Sequence, residues 1–171
     1  DPSSPSYEVL YRTFRWHVPE SFNIGVDVSD KHAADPVAAA RPALIYDVDN
    51  GSPRVYSFGD LARLSNRFAN VLTAHGIQRG DRVAVLLPQR PETVLAHIAI
   101  YKLGAIAVPL TILFRHDALL HRLRDSGASA IIAEAASLDL LDELWSELPG
   151  LKTAFIIDGS SLPDGCVDFD A

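Results

Sequence analysis

Between residues 57 and 158 the apolar positions of the chain change period at regular intervals. Leu61, Leu64, Phe68, Val71 and Leu72 recur at three- and four-residue steps, the spacing of one helix face. Ser57-Phe58-Gly59-Asp60 precedes them as an S-x-x-D capping box, in which hydroxyl and carboxylate each satisfy a free backbone N–H. Gly76 stands where a left-handed C-terminal cap is needed, so the pattern predicts a helix over 58–75. The period then breaks: residues 82–87, Arg-Val-Ala-Val-Leu-Leu, run apolar without alternation, as in a strand covered on both faces.

The same exchange of helix and strand repeats three more times. Pro91 fits a first helical turn with Glu92 at its positive end, Val94, Leu95, Ile98, Tyr101 and Leu103 mark the helix, and Gly104 ends it. A strand over 105–110 follows, then a helix over 116–125 with Leu119, Leu120 and Leu123 inward and Gly127 at its end. Strands over 130–133 and 153–157 enclose a helix expected to be capped by Ser137 and stopped by Pro149-Gly150. Strand starts near 82, 105, 130 and 153, each pair bridged by one helix, predict an α/β fold: a mostly parallel sheet of repeated βα units with right-handed crossovers and flanking helices.

Outside that series the pattern is looser. Residues 43–47 and 54–56 predict a hairpin turning at Asp49-Asn50-Gly51. Tyr11, Phe14, Trp16 and Phe22 are expected to anchor an extended arm along the domain. Three regions result: an arm and hairpin over 1–56, a βα-repeat unit over 57–158, and a Gly/Ser/Pro/Asp-rich linker or loop over 159–171.

Composition narrows the function. The 171 residues are 48% hydrophobic and 22% charged, within the globular range. A formal charge of −7 without Lys or Arg runs excludes nucleic acid as a main partner. No stretch approaches the apolar length of a membrane span, and the front of the chain lacks a signal-peptide layout. A single cysteine, Cys166, can form no internal disulfide and offers no zinc framework, so a cytoplasmic setting is the expectation. The chain opens on Asp1 and holds no methionine, from which we expect it to begin inside a longer reading frame.

Ligands of open parallel sheets bind beyond the carboxyl ends of the strands, which directs attention to two loops. Pro88-Gln89-Arg90 could hold an anion at a helix start, although a turn with a solvated Arg90 is the simpler reading. Leu113, Phe114, Arg115 and His116 could cradle a phosphate-bearing or purine ligand, or could be a packing ring beside a surface cation. No G-x-x-x-x-G-K-[ST], G-x-G-x-x-G or G-x-S-x-G motif occurs, and Ser57 and Ser137 read as helix caps. His116 and His121 are five apart and do not form a metal pair, and acid pairs such as Asp27 with Asp30 or Asp47 with Asp49 read as solvating charges. Neither a catalytic residue nor a metal ligand is assigned.

Five segments together resemble the N-terminal portion of acyl-CoA synthetases of the adenylate-forming (AMP-binding) superfamily, closest in style to acetyl- and medium-chain enzymes. They are residues 22–27 (FNIGVD), 56–61 (YSFGDL), 76–92 (GIQRGDRVAVLLPQRPE), 99–110 (AIYKLGAIAVPL) and 113–126 (LFRHDALLHRLRDS). The resemblance implies part of the N-terminal domain of that fold, and a ligase that uses ATP, a carboxylic acid and CoA, with Mg²⁺ assisting, to make acyl-CoA, AMP and pyrophosphate through an acyl-adenylate. It also implies that the phosphate loop, adenine and ribose contacts and catalytic lysine lie beyond residue 171, so the chain alone is expected to be inactive. Leu113, Phe114, Arg115 and His116 match a segment near the CoA nucleotide, with Arg115 and His116 standing where the family usually carries Gly or Ala. A stand-alone, non-catalytic CoA-binding or regulatory module of the same fold is the other reading, and artificial dimerisation through an exposed apolar face is allowed by either.

Overall fold

A computed structural model describes residues 5–48 and 51–170. The first helix, α1 (Tyr7–Thr13), starts where the Ser6 hydroxyl accepts the Val9 N–H, and it buries none of its residues. The aromatic residues expected to anchor the arm do not: Tyr11, Phe14, Trp16 and Phe22 are all more than half exposed. A seven-residue helix has too few turns to present a stripe to the domain, and Phe14 and Trp16 pack edge to face on each other instead.

The arm is tied down further along, through polar groups. Asn23 donates from Nδ2 to the Lys102 carbonyl at 3.0 Å and accepts the Val26 N–H at 3.1 Å, starting a wide π-helical turn over Val26–Asp30. Within it the buried Ser29 hydroxyl donates to the Gly25 carbonyl at 2.6 Å. Gly25 must be glycine on steric grounds, since a Cβ there would stand 2.7 Å from the Ile98 carbonyl oxygen. The short helices α2 (Lys31–Ala33) and α3 (Pro36–Ala39) then lead to β1 (Pro42–Tyr46) and β2 (Arg54–Ser57), an antiparallel pair. The hairpin expectation holds, while Asp49 and Asn50 of its turn lie outside the described residues.

Ser57 closes β2 and caps α4 (Phe58–Ala74) with the capping box read from the sequence: its hydroxyl accepts the Asp60 N–H, and the Asp60 carboxylate accepts the Ser57 N–H. The series continues as β3 (Arg82–Leu86), α5 (Pro91–Lys102), β4 (Ile106–Leu110), α6 (His116–Ser126), β5 (Ala130–Glu134), α7 (Leu138–Trp145) and β6 (Thr153–Ile157). Ser137 precedes α7 without donating a side-chain cap, because a 3₁₀ turn over Ala135–Ser137 already holds its backbone in helical geometry. The tail was read as a linker or loop, yet Cys166–Asp168 forms a further strand, β7, parallel to β6. Its three residues are too few to show a period, and Pro163 and Gly165 beside it carry the signature of a turn.

The parallel sheet has the order β4-β3-β5-β6-β7. Counted along the chain this is 2-1-3-4-5, a doubly wound arrangement whose crossover point lies between β3 and β5. Because side chains alternate across a strand, Val83, Val85, Ile132, Phe155 and Ile157 face α4 and α5. Ala84, Leu86, Ile131, Ala133 and Ile156 face α6 and α7. Helix α5 is apolar on nearly every side, and none of its residues is exposed: the sheet covers one face, α4 and the π-helical turn cover the other. Gly159–Asp170 completes the first core through Phe169, which stacks on Phe68 at 3.9 Å between ring centroids.

At the β4 edge, the Ile106 N–H donates inward to Asp81. Strand alternation therefore turns Pro109 outward, where its missing N–H leaves no ladder bond unmade.

Candidate functional site

The carboxyl ends of β3, β5 and β6 meet at one side chain. Arg90 caps α5 from extended backbone and reaches across the crossover point, donating from Nε to Glu92 at 2.6 Å and from Nη1 to Glu134 at 2.6 Å and Asp158 at 2.8 Å. Its side chain is only 14% exposed, so it is no solvated turn arginine. Nor is it free to take an anion: one cation faces three carboxylates and the group carries two net negative charges. The Glu92 hydrogen bond first, then burial working against it and the bonds to Asp158 and Glu134, fix Arg90 in its protonated form. In return Arg90 holds the Asp158 carboxyl below its ordinary range. The signal that could have revealed this cluster is that Glu134 and Asp158 each terminate a purely apolar strand.

The second loop lies at the end of β4, on the sheet edge beside β3. Thr111 folds it back, its carbonyl accepting the Phe114 N–H at 3.1 Å and its hydroxyl the Leu113 N–H at 3.3 Å. Phe114 is half-buried and carries the Arg122 guanidinium 3.9 Å from its ring centre, a cation–π contact across about two turns at the start of α6. Arg115 is exposed and makes no side-chain hydrogen bond or ion pair among the described residues, while Leu113 stands 78% exposed. His116 contacts Asp117 at 3.1 Å and Glu147 at 3.5 Å. The four residues named from the sequence are thus neighbours on one surface, and both the packing ring and the surface cation of the plainer reading are present. The start of α6 adds unpaired backbone N–H groups and the positive end of a helix.

No catalytic set assembles elsewhere among the described residues. The Nδ1 atoms of His75 and His97 lie 2.8 Å from the carbonyls of Val71 and Thr93 on their own helices. Ser57 and Ser65 bond within α4. Burial pushes the Cys166 thiol up, away from the reactive thiolate. No group of three His, Cys, Asp or Glu side chains could hold a metal ion among the described residues, and no helix there is long and apolar enough to cross a membrane.

The profile of the AMP-binding enzyme family matches residues 31–171. The chain is 38% identical over 144 residues to the acyl-coenzyme A synthetase ACSM4, mitochondrial, of Rattus norvegicus, covering 82% of this chain and 25% of that protein. It is also 38% identical over 157 residues to ACSM2A, mitochondrial, of Homo sapiens, covering 89% and 27%. Among solved structures, the Brucella canis acyl-CoA synthetase superposes with a TM-score of 0.81 at 27% identity, covering 95% of this chain and 31% of that one. The anthranilate CoA ligase AuaEII in complex with anthranoyl-AMP gives 0.77 at 27% identity, covering 90% and 28%. The chain spans about a quarter of the length of the curated relatives it matches.

Proposed function

We propose, from the premise that this chain belongs to the AMP-binding enzyme family, that it forms the N-terminal part of an acyl-CoA synthetase. The reaction is activation of a carboxylic acid by ATP to an acyl-adenylate, with release of pyrophosphate, followed by thioester formation with CoA and release of AMP. The observation that carries this reading is the family match over residues 31–171 together with relatives that are themselves acyl-CoA synthetases.

The described residues do not fit the ATP phosphates or Mg²⁺. The described residues offer no metal cluster, and the crevice at the sheet crossover is filled by Arg90 and carries excess negative charge that repels a polyphosphate. We assign this part of the protein a scaffold role for adenylation. CoA fits better at the β4–α6 loop. Arg115 would meet a CoA phosphate with a cation not engaged by another side chain, Leu113 would lie against the nucleotide base, and Phe114 and His116 would shape the floor, with one face of the Phe114 ring already taken by Arg122.

Carboxylate-dependent ATP–pyrophosphate exchange tests the main proposal. The product of the complete reading frame should exchange and residues 1–171 alone should not; exchange by neither would overturn it. Arg115→Ala in the complete product should raise the KM for CoA about tenfold, equivalent to ~1.4 kcal/mol, with exchange unchanged. An unchanged KM removes the CoA assignment and leaves the ligase reading standing.

The two filled cores of the described residues favour one alternative, a stand-alone CoA-binding or regulatory module. A native stop codon directly after Ala171 would select it. As to compartment, the single cysteine supports a reducing one such as the cytoplasm. Relatives whose names read mitochondrial make cell fractionation the deciding measurement.

A further inference from the structure

We propose that Arg90 is a positioning residue that couples three loops at the carboxyl rim of the sheet, so that the segments leaving β3, β5 and β6 open and close as one unit. Three observations carry this. The guanidinium, carried by the loop between β3 and α5, is the common partner of Glu92 in the first turn of α5, Glu134 at the end of β5 and Asp158 just past β6. Strands β3 and β6 do not pair with each other, since β5 lies between them, so the 2.8 Å bond from Arg90 to Asp158 bypasses the ladder. Asp158 is also the one non-glycine residue among those described with a positive φ, 62°, a conformation that persists where the surroundings enforce it. The Leu162 side chain packs over its neighbour Gly159, against the position a Cβ would take there. A planar fork with several donors suits this task and a lysine does not, because an ammonium on a flexible stem is a point charge without fixed bond directions.

Hydrogen exchange in the intact protein, followed by mass spectrometry, tests the coupling. Asp158→Asn keeps a residue type that tolerates positive φ and removes one charge-assisted bond. It should speed exchange at least fivefold at Thr93, whose N–H bonds to the Arg90 carbonyl across the sheet from the substitution, with the amides of residues 131–133 unchanged. Arg90→Lys should loosen residues 134–137 and 158–165 together despite keeping the charge. Acceleration confined to residues 158–165 in Asp158→Asn, or full protection of all three loops in Arg90→Lys, would overturn the proposal. Should Arg90→Lys unfold, the Asp158→Asn readout alone decides.

Discussion

Single residues explain the composition of the entry segment Phe22–Asp27 and of the π-helical turn that follows from it to Asp30. Gly25 makes room for the backbone of α5, Asn23 bonds to the carbonyl at its end, and Asp30 pairs with the Lys102 ammonium at 2.7 Å, where the lysine side chain is only 7% exposed. Gly25→Ala should cost roughly 1–3 kcal/mol, the usual cost of overpacking, measured by urea unfolding. Gly76→Ala meets no atom within 4 Å and pays only for its positive φ, so it should cost about 1 kcal/mol. Equal losses at the two sites would mean that contact with α5 is not what selects Gly25. The sequence displayed the segment as a family resemblance but hid its mechanics, because the partners of Asn23 and Asp30 are 79 and 72 positions away in the chain.

At the scale of elements, the βα units were legible because each pairs an apolar run with a 3.6-period stripe, and both patterns are local. Helix α4 is the clearest instance. Its capping box was visible in four letters, and Ser57→Ala should destabilise the fold by about 1 kcal/mol by thermal or chemical melting. The same logic fails for β7, which is followed directly by Phe169 stacking on Phe68, a residue far away in sequence. Phe169→Ala should therefore cost about 3–5 kcal/mol, as for a buried core aromatic. A loss below 1 kcal/mol would return residues 159–171 to the status of a linker. Arg90 is illegible in the sequence for a related reason: a helix-start arginine looks solvated until the topology brings Glu134 and Asp158 to it.

For the whole molecule, three carboxylates tie stability to pH. Burial alone would raise the Asp30 carboxyl, but hydrogen bonding and charge from Lys102 outweigh it and hold the group low; Ser57 does the same for Asp60, and Arg90 for Asp158. A carboxyl with a depressed folded-state pKa contributes stability above its unfolded value, near 3.9, and loses it as pH falls through the folded one. The urea midpoint should thus show no loss from these groups above about pH 5 and should drop as the solution is taken below about pH 4. The Asp30→Asn, Asp60→Asn, Asp158→Asn triple variant should drop less steeply; an undiminished slope would assign the acid sensitivity to other carboxylates.

Phe169 also sets a schedule. A protein is made from its amino end, and domains fold as they leave the ribosome. Strands β3 to β6 can pair once Ile157 has emerged, yet until Phe169 follows, the Phe68 ring, already edge-on to Phe155, lacks its stacking partner. Nascent chains arrested at successive lengths should accordingly gain protease resistance in two steps, the second as residues 158–169 clear the exit, and Phe169→Ala should abolish the second step alone. Phe169 thus acts as a checkpoint in synthesis, closing this unit only once β7 is in place.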